Sequence, residues 1–284
     1  MKPFKELSQL VDLLDVRGLN VDTDDAVSFL HNCNYYRFTG YSRQFQKNPG
    51  KKDDRYLPGS TLSDIRSKMA LDSQLRGLFG SALSSVELSV RARFAHESGR
   101  VLGDEAFYLR PENYLLITPG LDRFLETMRD DLRRTTSPTV ARYAEGDSFD
   151  KVPIWVAVEV LSFGSIAKMI QYLANDLPGK AVASSYSLPW DGFQSTVHSF
   201  AVLRNRCAHH GQIWHRRLDI QCPVIKKLRP RDVVYHPQGP YSAVVMLRRY
   251  LKKIDPTRDW GEEVDALLES DAVFKTGILC PFAK

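Results

Sequence analysis

The chain is poor in cysteine, and its four cysteines stand apart. Cys33, Cys207, Cys222 and Cys280 form no C-x-x-C pair in 284 residues, which excludes a zinc ribbon, a thioredoxin-type redox motif and a disulfide framework, and fits a reducing cytoplasm. No group of Asp, Glu, His and Cys has metal-ligand spacing, so neither a metal nor another cofactor is expected. Long hydrophobic runs are missing too. The most apolar segment, residues 152–170, carries Glu159 and Lys168, and the opening MKPFKELSQL has no apolar signal core; no membrane partner is expected, and the expected location is the cytoplasm. Alternating apolar and polar residues are absent over any useful length, as are internal repeats, which argues against a sheet protein and against a solenoid.

What is present is helical periodicity nearly everywhere. Hydrophobic residues make up 43% and aromatics 11% of the chain, enough for a full globular core. Residues 4–14 and 23–30 read as short amphipathic helices, the second entered through Asp22 or Thr23 as N-cap. Residues 47–60, KNPGKKDDRYLPGS, read as a polar Pro/Gly-rich loop. From 61 to about 97, apolar residues at Leu71, Leu75, Phe79, Ala82, Val86 and Val90 predict a long helix, or two in succession. Helical patterns resume over 121–134, over 153–173 with proline near the first turn, and from 191 onward. Residues 220–234 are β-branched but broken by Pro223 and Pro230, an extended connection rather than a sheet strand. Helices over 241–254 and 260–268 close the chain. The fold class expected is all-α.

Charge is modest overall, at +5, but unevenly spread. Residues 203–231 hold eight bases (Arg204, Arg206, Arg216, Arg217, Lys226, Lys227, Arg229, Arg231) against the single acid Asp219, a local balance of +7 that leaves −2 for the rest. Such clustering is an electrostatic footprint for a polyanion. Within it, LRNRCAHHGQIWHRRL (203–218) follows an apolar helical stripe of Phe193, Val197 and Phe200, and four residues further along that stripe stands Arg204. A guanidinium there cannot shed its proton and requires a fixed anion, either a carboxylate of the chain or a ligand phosphate. Glu159, set among Val156, Ala157, Val158, Val160 and Leu161, reads as buried and so also needs a partner. Glu159 or Glu87 can fill that role for Arg204. Arg204 and His209 are five residues apart, about 140° around a straight helix; both reach one phosphate only if the helix ends near 207–211, where Gly211 is the residue type suited to the break.

Arg-Asn-Arg-Cys-Ala-His, residues 204–209, resembles the R-x4-6-H motif of HEPN ribonucleases. NYYRFTGY (34–41), Leu75-Arg76 with VELSVR (86–91), PIWVAVEVLSFGS (153–165) and RNRCAHHGQIW (204–214) occur in the order and approximate spacing of the Abi-like AbiD/AbiF proteins of bacterial phage defence. The resemblance covers roughly residues 2–217. It implies an all-helical, HEPN-like bundle with N- and C-terminal helical extensions: an Abi-like domain over 1–217 with its core at about 61–215, then a basic connection and C-terminal helices (218–284) packed on the same body. One departure stands out. The usual F-D-R-x-L-R is L-D-S-Q-L-R here (71–76), Ser73 replacing a charge.

The resemblance implies a metal-independent endoribonuclease of an abortive-infection system, whose partner is RNA; the family includes members encoded beside a small noncoding RNA, so control by a bound noncoding RNA is a further expectation. His209 would be the general acid or base, Arg204 would stabilise charge on the phosphorane, and Asn205 would hold the arginine or the phosphate. His210 could substitute for His209, and Glu159 and Glu87 are candidate supports. Because HEPN motifs usually meet in pairs to form one site, a homodimer or higher homo-oligomer is expected. The second match, Arg91 to His96, reads instead as an i, i+4 ion pair of Arg91 with Glu87, with Arg91 off the apolar stripe. RNA contacts are expected from Arg206, Arg216, Arg217, Lys226 and Lys227, from His215 as a phosphate or surface contact, from Arg37 and Arg43 as phosphate contacts, and from Tyr35 and Tyr36 as stacking platforms. Two alternatives use the same residues differently: a non-catalytic protein holding a structured noncoding RNA in the same cleft, and a protein-binding regulator of antitoxin type.

Overall fold

The computed structural model of the protein describes residues 3–51, 53–103, 106–115 and 119–281. The described residues form thirteen α-helices and one two-stranded ribbon, an all-α fold. Its axis is α4 (Leu62–Leu102), 41 residues long and therefore about 60 Å. Thr61 and Asp64 close a reciprocal capping box at its start, with side chain to backbone bonds of 3.1 Å in both directions. Gly103, at φ +83°, ends it. Leu62, Ile65, Leu75, Phe79, Ala82, Val86, Val90 and Phe94 are all buried, at spacings of three and four, with one of ten between Ile65 and Leu75, that line one face.

Around α4 the remaining elements form a shell. At the N-terminal end are α1 (Leu7–Val16), α2 (Thr23–Asn32) and α3 (Tyr35–Ser42); Asp22 is the N-cap of α2, accepting from the Asp25 N–H at 2.9 Å. The segment expected to be a plain loop instead forms β1 (Gln46–Asn48) and β2 (Asp53–Tyr56), an antiparallel pair. Its strands are too short to show alternation, and Tyr56 turns inward to donate to Ser42 Oγ. Next come α5 (Pro119–Arg134) and α6 (Pro138–Tyr143). The single helix expected over 153–173 is divided into α7 (Ile154–Ala157) and α8 (Phe163–Tyr172), because Ser162 caps α8 by accepting from the Ser165 N–H. Then α9 (Leu177–Ser185) and α10 (Phe193–Ala208) lie against α4. Residues 218–239 hold no α-helix or strand and carry short turns at Lys226–Leu228 and at 236–239, where the Gly239 N–H bonds to the His236 carbonyl. α11 (Pro240–Ile254) and α12 (Trp260–Glu269) also pack on α4, and a further helix, α13 (Ala272–Leu279), follows where the sequence pattern showed none.

One face of α4 also carries five charges away from water, beginning with Lys68. Asp72, Arg76, Glu87 and Arg91 are each no more than 9% exposed and follow each other at spacings of 4, 11 and 4, all multiples of the helical repeat to within a fraction of a turn. Asp72 is the hub of the first pair. It accepts from Arg76, from the Tyr41 hydroxyl of α3 at 2.5 Å, and from the backbone N–H groups of Ile213 and Trp214, the latter at 2.8 Å. Burial pushes its carboxyl up, while Tyr41, Arg76 and the two backbone donors pull it down, and burial wins.

The C-terminal helices are tied to the same region. Trp214 Nε1 donates to the Phe274 carbonyl at 3.2 Å, and a Cβ on Gly277 would fall 2.2 Å from that nitrogen, so α13 rests directly on the indole. Asp271 caps α13 and pairs with Lys68 of α4. His215 Nδ1 lies 2.8 Å from the Pro281 carbonyl. Burial draws its imidazole below the ordinary value against the opposing Pro281 carbonyl, and burial with Lys168 nearby does the same to His198.

Two outcomes follow. Asp72→Ala removes the anion from a buried guanidinium and strands two backbone donors, and is expected to destabilise the fold by about 3–5 kcal/mol, against about 1 kcal/mol for Tyr41→Phe, as read from urea midpoints. Histidines with depressed folded pKa values take up protons in the unfolded chain first. Their contribution to stability is therefore complete above about pH 6.5 and is lost as pH falls through the folded values. Urea midpoints from pH 7.5 to 5.5 (about one unit either side of the ordinary value) should fall, and less steeply in His215→Gln.

Candidate active site

The sequence 204–214 straddles the end of α10. Phe193, Val197, Phe200, Leu203 and Cys207 form its buried stripe; the stripe thus runs through Leu203 and Cys207, and Arg204 stands on its flank rather than on its centre. The side chain of Arg204 is 45% exposed. The helix then stops in a Schellman-type turn: the His210 N–H bonds to the Cys207 carbonyl at 3.1 Å and the Gly211 N–H to the Arg206 carbonyl at 2.7 Å. His209 is the C-cap, and the left-handed residue is His210, at φ +55°. The helix thus ends within 207–211, as expected, but the left-handed position falls on His210 and not on Gly211, where glycine serves another purpose: a Cβ there would meet Arg206 Cγ at 2.7 Å. Histidine is one of the side chains that tolerates left-handed backbone better than most. Burial pushes the Cys207 thiol up to about 12, so the one sulfur in the motif is an inert packing group.

Arg204 is oriented from below. Its Nε donates to Glu87 Oε2 at 3.1 Å and its NH1 to Asn205 Oδ1 at 3.1 Å. The other oxygen of Glu87 accepts from Arg91 NH2 at 2.5 Å, and Arg91 NH1 is held by the Val158 and Leu161 carbonyls. Glu87 is therefore the carboxylate that answers Arg204. Glu159 is not: it is exposed, because the helix it was expected to occupy ends at Ala157 and the chain turns, burying Val158 and Leu161 and releasing the side chain between them. Arg91 makes the expected i, i+4 pair with Glu87 but is buried rather than set off the core.

His209 and His210 are both exposed, and neither side chain has a hydrogen bond to a described residue. Other bases expected to face RNA are committed in part to the chain itself. Arg37 NH1 donates to the His210 carbonyl at 2.7 Å, holding the turn from α3. Arg206 donates to the Arg217 carbonyl at 2.9 Å and to Asp219 at 2.5 Å. His215, expected at the surface, is half-buried against Trp214 with Nδ1 turned to Pro281; the docking of α13, which the sequence pattern did not reveal, covers it. Arg216 and Arg217 are exposed and, with Gln212 and Gly211, line a basic depression of about 560 Å³ beside the turn. Lys226 and Lys227 are exposed on the connection. Of the aromatic block, Phe38 and Tyr41 are core, Tyr35 is half-buried with its hydroxyl 3.4 Å from Arg17, and Tyr36 is 70% exposed. Arg43 is exposed, touching the Pro49 carbonyl at 3.5 Å.

Asp72, Arg76 and Tyr41 position the site without appearing among its candidates. The signal was present as an acid and a base four residues apart inside an apolar helical stripe, and Ser73, the departure in that block, is simply exposed. Among the described residues no cluster of three His, Cys, Asp or Glu is placed to hold a metal ion, and no helix is long and apolar enough to cross a membrane.

Comparison with known proteins returns no similar curated protein and no similar solved structure. It does return one family, described as Abi-like protein, whose match spans residues 28–215, from α2 through the turn after α10 and so across every residue of the Asp72 and Glu87 networks. The chain belongs to the Abi-like protein family.

Proposed function

We propose that the protein is a metal-independent endoribonuclease acting in abortive infection, a phage-defence role that its family suggests. The observation that carries the reading is the presentation of Arg204: an exposed guanidinium, fixed by a buried carboxylate and by Asn205, one turn before two unengaged imidazoles. A fixed cation can hold a phosphate and stabilise the charge that builds on it. In the proposed step a ribose 2′-OH attacks the adjacent phosphorus, the bond to the 5′-oxygen of the next nucleotide breaks, and the products are a 2′,3′-cyclic phosphate and a 5′-OH. His209 moves the proton, either from the attacking hydroxyl or to the leaving oxygen. The 2′-OH is the nucleophile, so no metal-bound water is required. The exposed Arg216, Arg217, Lys226 and Lys227 would supply the phosphate contacts that draw RNA to the site. One chain carries one such motif, and a homodimer would bring two together; control by a bound noncoding RNA belongs to the same proposal.

Arg204→Ala and His209→Ala are each expected to cut cleavage of single-stranded RNA at least about 100-fold while leaving the thermal midpoint within a few degrees, with cleavage by the parent protein unaffected by EDTA. Folded variants that cleave at the parent rate remove these residues from the chemistry; a parent that binds RNA but yields no cyclic-phosphate ends supports the non-catalytic alternative. Glu87→Gln keeps the shape but removes the charge shared by Arg91 and Arg204. It should lower the cleavage rate without weakening RNA binding, whereas Glu87→Ala should also cost about 3–5 kcal/mol of stability because Arg91 is left buried and unpaired.

A further inference from the structure

A sizeable open groove lies away from the motif. It lies between α1, α3 and the β1–β2 ribbon and encloses about 750 Å³, within the range of about 300–1,000 Å³ common to small-ligand clefts. Two aromatic rings on its rim face water with no packing reason to do so: Phe4 is 83% and Tyr36 70% exposed. The Tyr36 ring is nonetheless held, edge to face with Tyr35 at 5.8 Å. Of the cations lining the groove, Arg17 is spent on Asp54 at 3.1 Å. Lys5 and Arg43 have no carboxylate partner among the described residues, and Arg43 touches only a carbonyl. Exposed rings beside unneutralised cations are the combination that takes a planar heteroaromatic ring bearing a phosphate.

The groove also adjoins the candidate active site. α3 is eight residues long, about 12 Å. Tyr36, Thr39 and Arg43 line the groove, while its neighbours Arg37 and Gly40 bond to His210 and Gln212 across the turn that follows α10.

We propose that this groove binds one unpaired nucleotide, its base on the Tyr36 ring and its phosphate at Arg43 and Lys5, so that the protein prefers RNA whose bases are free of pairing. For a nucleotide within a strand the inference rests on the RNA reading above; for a free mononucleotide it stands alone. The experiment uses the full chain carrying His209→Ala to prevent cleavage, with fluorescein-labelled A12 and U12, a 12-base-pair RNA duplex, and AMP and UMP as probes. Base stacking worth about 1–3 kcal/mol predicts that Tyr36→Ala weakens A12 or U12 binding by about 5- to 150-fold. Tyr36→Phe should restore it, and duplex binding should not change. Tyr36 is exposed, so an unaltered thermal midpoint separates lost stacking from lost folding. If Tyr36→Ala binds A12 and U12 as the parent does, while neutralising Arg216, Arg217, Lys226 and Lys227 abolishes binding, the groove proposal falls and the RNA reading stands. If the parent binds none of the RNAs, the RNA reading falls and the titrations decide: saturable, Tyr36-dependent binding of AMP or UMP upholds the groove as a mononucleotide site, and its absence overturns it.

Discussion

Two carboxylates on one face of α4 hold the molecule to its present shape around the motif. Each sits beside a guanidinium four residues further on, and each reaches out to the end of α10: Glu87 to the Arg204 side chain, Asp72 to the backbone of Ile213 and Trp214. The segment between these anchors is the motif and its turn. Fifteen residues of helix separate Asp72 from Glu87, about 22 Å, so the anchors bracket the turn from both sides. Buried charges are weak evidence for stability in themselves. Their value here is geometric, since a buried ion pair satisfied in one arrangement is costly in any other.

The all-α fold, the long central helix and the place of the motif at the end of a helix were legible in the sequence, because each rests on periodicity over three turns or more. Short elements were not. The β1–β2 ribbon and the helices α3, α6, α7 and α13 run from three to eight residues, and tertiary contacts decide them: Tyr56 with Ser42, Ser162 at the head of α8, Gly277 against Trp214. Glu159 illustrates the limit. Its neighbours are apolar on both sides, and in a continuous helix it would be buried; a four-residue helix followed by a turn places it in water. The reverse holds for Asp72, whose charge suggests a surface residue but whose i+4 arginine and apolar stripe mark a buried pair.

The bases of residues 203–231 divide by what they touch. Arg206 spends its charge on Asp219 and a carbonyl, stapling the chain after the turn to the end of α10. Arg37, from a distant part of the sequence, closes the same turn from the other side. Sequence charge counting treats these alike with Arg216, Lys226 and Lys227, which are exposed. The turn itself is held in a left-handed conformation by a histidine, at some backbone cost relative to glycine, and its carbonyl has a guanidinium to meet. Rigid support beneath an exposed cation and two exposed imidazoles is the arrangement a preorganised anion site requires.

The seam between Trp214 and α13 sets an order of events during biosynthesis. The carbonyl that Trp214 bonds to belongs to Phe274, 60 residues later in the chain. At ribosomal rates of about 5–20 residues per second, Trp214 waits about 3–12 s for the helix that covers it. Until then the indole and the His215 ring lack the contacts with Phe274, Gly277 and Pro281 that seat them, and the segment leading out of the motif is anchored only from α3, α4 and α10, through the Gly40 carbonyl, the Tyr41 ring, Asp72 and Arg206. A nascent chain thus passes through an interval in which α4 and α10 are complete but Trp214 and His215 are covered on one side only, and the seating of these two rings is deferred to the arrival of α13.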